Sequence, residues 1–103
     1  MKTYILIRES LPVKWAVTAA AHAGAAILSK WGDHPDTKEW LEKSFKKVVC
    51  QVDDMDFGLA RALLPLEDSF VLTESALDNQ ATALIFRPRK EWPKSFKSFR
   101  LYG

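Results

Sequence analysis

The chain is poor in residues that staple or break a fold. Its single cysteine, Cys50, rules out an internal disulfide and fits a reducing compartment. Four glycines and five prolines in 103 residues form no low-complexity run, so disorder is not expected. No internal repeat is present. Two histidines and one cysteine stand at no metal-ligand spacing, so neither a metal site nor a cofactor is expected. Long hydrophobic runs are scarce too. Tyr4-Ile5-Leu6-Ile7 is too short for a signal-peptide core or a membrane span. The alanine-rich stretch 13–28 is interrupted by Lys14, Thr18, His22 and Gly24, and reads as a buried helix. A cytoplasmic location with no membrane partner is the expectation.

What is present suits one globular domain spanning residues 1–103. Hydrophobic residues make up 48%, enough for a core without staples. The net charge of +2 permits a nucleic-acid partner without arguing for one. The distribution is more informative. Six basic residues (Arg87, Arg89, Lys90, Lys94, Lys97, Arg100) face one acid, Glu91, in the tail, whereas 51–68 leans acidic.

Residues 3–8 alternate weakly and are rich in Tyr and Ile, which predicts a strand. Ser10 is a candidate N-cap and Pro12 is tolerated in a first turn, so a helix is expected to run to about Trp31 and stop at Gly32. After the turn at Asp33-His34-Pro35, Asp36 and Glu39 suggest a capping-box start for a short second helix. The β-branched run 47–52 predicts a second strand. Asp53 caps a third helix, with Met55, Leu59 and Leu63 as its apolar face and Pro65 as its end. Strands follow at 69–73 and 81–86 around an Asp78-Asn79 turn, then a terminal helix over 92–99. The expected fold is therefore α/β: a mixed four-stranded sheet in β-α-α-β-α-β-β order, with helices packed on it.

Three segments resemble the type-2 peptidyl-tRNA hydrolases. Tyr4-Ile5-Leu6-Ile7-Arg8-Glu9-Ser10-Leu11 looks like that family's opening strand. Ala19-Ala20-Ala21-His22-Ala23 looks like the end of its first-helix signature, Gly-Lys-x-Ala-Ala-Gln-x-x-His-Ala. Thr82-Ala83-Leu84-Ile85-Phe86-Arg87-Pro88 looks like its last strand, and Phe99-Arg100-Leu101-Tyr102 fits its usual end. The Asp33-His34-Pro35 turn and Lys46-Lys47-Val48-Val49 look closest to a divergent branch, the peptidyl-tRNA hydrolase domain-containing proteins of animals. The resemblance covers nearly the whole chain.

The departures are specific. The family's lysine falls on Trp15 and its glutamine on Ala19; Lys14 stands one residue early, rotated about 100° around a helix. The family's aspartate corresponds to Glu74 and its threonine to Thr82.

The resemblance implies hydrolysis of the ester between a peptide and the terminal ribose of tRNA. That chemistry needs an activated water, a stabilised oxyanion and a proton for the leaving oxygen. Lys14, Glu74 and Thr82 are the candidate catalytic set: Glu74 for the water, Lys14 for the oxyanion, Thr82 for the carbonyl or the water. Arg8, His22, Arg87, Arg89 and Lys90 are the candidate contacts to tRNA. Each has a plainer reading. Lys14 and Glu74 can be surface charges, Thr82 a strand former, and His22 a core hydrogen-bond donor within the alanine-rich helix. Relatives of this kind also form dimers. The alternative to an enzyme is a binding module for tRNA or protein on the same scaffold, since Trp15 and Ala19 stand where polar groups are expected.

Overall fold

The computed structural model describes residues Met1–Gly103. The elements in chain order are β1 (Lys2–Arg8), α1 (Val13–Trp31), α2 (Pro35–Glu42), β2 (Lys46–Val52), α3 (Asp54–Ala60), β3 (Ser69–Glu74), β4 (Gln80–Phe86) and β5 (Arg100–Leu101), with short 3-10 turns between the later ones. β1 is the centre because it is apolar on both sides. Ile5 and Ile7 face one way, Tyr4 and Leu6 the other, and all four are buried. Burial on both faces explains why its alternation is weak in the sequence.

The sheet has five strands, in the order β3-β4-β1-β2-β5, rather than the expected four. The added strand is β5, which pairs antiparallel to β2 through Cys50–Leu101 and Gln51–Arg100. Two residues carry no readable alternation. What holds them is tertiary: the Arg100 guanidinium donates to Gln51 Oε1 at 2.7 Å, and the Tyr102 amide to the Val49 carbonyl at 2.9 Å. β1 and β2 are parallel, whereas β4 is antiparallel to both β1 and β3.

One face of the sheet is covered by α1. Ala16, Ala19, Ala23 and Ile27 recur every three or four residues and pack on Ile5, Ile7, Ala83 and Ile85, with Trp40 of α2 closing the end. The opposite face holds Tyr4, Leu6, Cys50, Val52, Leu84 and Phe86, covered by Ala60 and Phe96. Phe96 lies in the 3-10 turn Lys94–Ser98, which is shorter than the terminal helix expected over 92–99. Its ring touches Tyr4, Phe86, Trp92 and Phe99 at centroid distances of 5.0–5.3 Å.

Three local expectations also change. α1 begins after Pro12, with no side-chain cap from Ser10. α2 is capped by His34, whose Nδ1 accepts from the Asp36 amide at 3.0 Å, with Pro35 at its first position. α3 is capped by Asp53 but ends at Ala60, and Met55 and Leu59 are 72% and 61% exposed. Phe57 and Ala60 make its contacts with the core instead, because two repeats of a four-residue spacing cannot specify which side meets the sheet. No helix is long and apolar enough to cross a membrane.

Candidate functional site

β1 and β2 run parallel, and β3 runs the same way as β1 because two antiparallel steps through β4 restore direction. Arg8, Val52 and Glu74 therefore end their strands on one edge of the sheet, where α1 and β4 begin. Such strand ends are the usual ligand positions of open α/β sheets.

Arg8 ties this edge together. Its Nε donates to Asp54 Oδ1 at 3.0 Å and its Nη1 to the Ala81 carbonyl at 3.0 Å. The guanidinium thus joins the end of β1 and the start of β4 to the first residue of α3, which is a framework role.

Glu74 is the best-positioned chemical group. It follows Phe70 and Leu72 on the α1 side of β3, and its side chain is 15% exposed. Oε2 accepts from the Ala76 amide at 3.1 Å and lies 3.5 Å from Ser75 Oγ. Oε1 faces His22 Nε2 at 3.7 Å. One oxygen is anchored by backbone, and the other addresses an imidazole that is 62% exposed. His22 therefore does not donate across the core as its alanine-rich surroundings suggest. It stands one residue from buried Ala23, a rotation of about 100° that carries it to the rim of the helix.

Lys14 lies on the exposed side of α1, roughly opposite the buried alanine stripe. Its Nζ is 5.2 Å from the centroid of the Trp15 ring. Lys14, Thr18 and His22 form one row at four-residue spacing, and Thr18 Oγ1 donates to the Lys14 carbonyl at 3.2 Å. The amine's parent residue is thus two turns, roughly 12 Å of axial rise, from His22. Trp15 is half-buried against the α1 core and Ala19 is buried on the sheet, so neither offers the amine or the side-chain amide that the resemblance implies there.

Thr82 is the extra residue of a β-bulge. Leu72 pairs with Ala83 and Thr73 with Ala81, leaving Thr82 between them. It is 3% exposed, and its hydroxyl donates to the Leu72 carbonyl at 3.3 Å. Its visible role is to hold the bulge that brings Gln80 opposite Glu74. Five surface hollows are present, and none is lined by Lys14, Glu74 or Thr82. The structure brings Glu74 to His22 and leaves Lys14 and Thr82 in separate settings.

The basic tail divides in two. Arg87 donates to Asp68 Oδ1 at 3.0 Å and to Asp36 Oδ2 at 2.8 Å, with its side chain 12% exposed. Burial alone would lower its basicity, but hydrogen bonds and charge from Asp68 and Asp36 outweigh that and raise it above the ordinary arginine value. Arg89 approaches Asp68 at 3.6 Å and donates to the Glu91 carbonyl at 2.8 Å. These two arginines, just after β4, are tied to the turn that precedes β3, and Arg87 also to α2. Lys90 alone of the expected tail contacts is open, in a hollow with Lys2, Lys94 and Lys97.

Sequence reasoning missed the Glu74–His22 pair and the grouping of Lys2 with the tail lysines. Neither has a local signal, because each depends on strand order. No protein-family model matches the chain, and no curated protein matches it.

Proposed function

We propose that this chain is a divergent peptidyl-tRNA hydrolase-like domain that cleaves the ester between a peptide and the terminal ribose of tRNA. The observation that carries the reading is the anchored Glu74 carboxylate at the end of β3, with its free oxygen facing His22 at 3.7 Å. A carboxylate beside an imidazole is a base with an orienting partner. Glu74 attracts the Nε2 side of the ring from 3.7 Å, and His22 takes the proton of an attacking water at its other nitrogen, Nδ1. The tetrahedral oxyanion then collapses, the ester C–O bond breaks, and the imidazolium returns its proton to the ribose oxygen. Lys14, on the exposed side of α1 with its Nζ beside the Trp15 ring and two turns from His22, has no part in this step. Thr82 acts by positioning, since its hydroxyl holds the bulge beside Glu74.

The test is release of free tRNA from a peptidyl-tRNA by the purified protein. Wild type should turn over, and Glu74→Gln should slow release by about 10²–10³-fold. No release above buffer at micromolar protein removes the reading.

A second reading has its own support. Ala19 is buried, Trp15 is packed against the core, and the Thr82 hydroxyl is taken up by a carbonyl. On that reading the scaffold binds tRNA without cleaving it. Salt-dependent tRNA binding with no release, in wild type and Glu74→Gln alike, would favour it.

A further inference from the structure

We propose that the lysines at the opposite edge of the sheet form a docking surface for an RNA phosphate backbone, apart from the Glu74–His22 pair. Lys2, Lys90, Lys94 and Lys97 line a hollow of about 420 Å³ with Tyr4, Glu91 and Trp92. An adjoining hollow of about 390 Å³ shares Lys2, Tyr4 and Lys97 and adds Lys46. Lys2 and Lys46 are register partners at the starts of the parallel strands β1 and β2, so two chain-distant lysines stand side by side. Five lysines thus surround one carboxylate, Glu91, and none of the five makes an ion pair.

The contrast with the arginines gives this weight. Arg8, Arg87 and Arg89 each have an aspartate partner. Unpaired like charges crowded around connected hollows raise the local potential and repel one another, and a polyanion relieves both. The surface lies on the face opposite α1, at the amino ends of β1 and β2. It is therefore roughly 20 Å along the strands from the edge that carries Glu74.

A lipid surface suits the same lysines less well. Trp92 is edge-on to Tyr4 and Phe86 and donates to the Arg89 carbonyl at 3.2 Å, so these rings pack on one another and leave no aromatic wedge for a bilayer. The choice of RNA among polyanions rests on the proposed function; the charge cluster does not.

The experiment is fluorescence anisotropy of labelled tRNA against the full chain over a salt series. Lys90→Gln/Lys94→Gln/Lys97→Gln should weaken binding at least 10-fold at low salt and reduce the log–log salt slope by about 2–3, at 0.7–0.9 per phosphate contact. Lys2→Gln/Lys46→Gln should act in the same direction. Lys38→Gln/Lys43→Gln, on and just beyond α2, should bind as wild type. Circular dichroism checks that each variant is folded. Absence of tRNA binding, unchanged binding by both lysine variants, equal weakening by the α2 control, or binding only to anionic vesicles would each overturn the proposal. Turnover by Glu74→Gln is read separately, in the cleavage assay. Loss of turnover there bears on the hydrolase reading alone, and loss of binding in the lysine variants on the docking surface alone.

Discussion

The two faces of the sheet are built by different means. The α1 face is covered by one long helix whose small residues let it approach closely, over isoleucines of β1 and β4. The other face has no long helix. A seven-residue α3, a 3-10 turn and a cluster of rings around Phe96 cover it. Small side chains with a regular element solve one packing problem, and large side chains on irregular backbone solve the other. The difference extends to charge. On the α1 face an acid meets an imidazole at a strand end; on the aromatic face unpaired lysines ring the hollows. Mixed charge suits bond-making and bond-breaking, whereas charge of one sign suits holding a polyanion.

The sharpest way to break the comparison is Phe96→Ala. Phe96 is 1% exposed and touches four rings, so its truncation should cost about 3–5 kcal/mol by urea denaturation. Cys50 belongs to the same cluster, and burial pushes its thiol up, so in wild type it should resist alkylation. In Phe96→Ala its labelling should accelerate while the α1 face stays protected from hydrogen exchange. Uniform loss of protection on both faces would mean that the two clusters form one inseparable core.

Next in size is Asp68→Asn. It removes the acid shared by Arg87 and Arg89 and should cost about 2–3 kcal/mol, since the guanidinium of Arg87 is nearly buried. A thermal melt of this variant at raised salt checks the origin. A surface pair would lose its difference from wild type as salt rises, and a buried one would keep it.

The smallest effect sharpens the picture of α1. A methyl group at Gly24 would meet nothing within 4 Å, so Gly24→Ala should stabilise the fold by about 0.5–1 kcal/mol through helix propensity alone. A loss of stability would mean that α1 needs its closest approach at that glycine.

Much of the framework was legible because it rests on local signals. The apolar centre of β1, the glycine after Trp31, the Asp53 cap and the Asp78-Asn79 turn each declare themselves. Asp78 and Asn79 take the left-handed conformation at φ 53° and 61°, which these two residue types tolerate, and so close the five-residue connection 75–79 between β3 and β4. β5 was not legible, because two residues held by Gln51 and Val49 have no pattern of their own. His22 was misread for a related reason. Composition places it among alanines, but the helical angle separates it from Ala19 and Ala23. Thr82 looked available because it opens a strand; the bulge that buries it arises only from pairing with β3. The arginines of the tail looked like an RNA contact because Asp36 and Asp68 are distant in sequence.

The most direct test of the central claim is a double-mutant cycle on single-turnover cleavage of peptidyl-tRNA, with Glu74→Gln, His22→Ala and the double variant. If the carboxylate acts through the imidazole, the double variant should be no slower than His22→Ala, a clear departure from additivity. Additive losses, or wild type that leaves the ester intact, would contradict the claim that these two side chains work as one base.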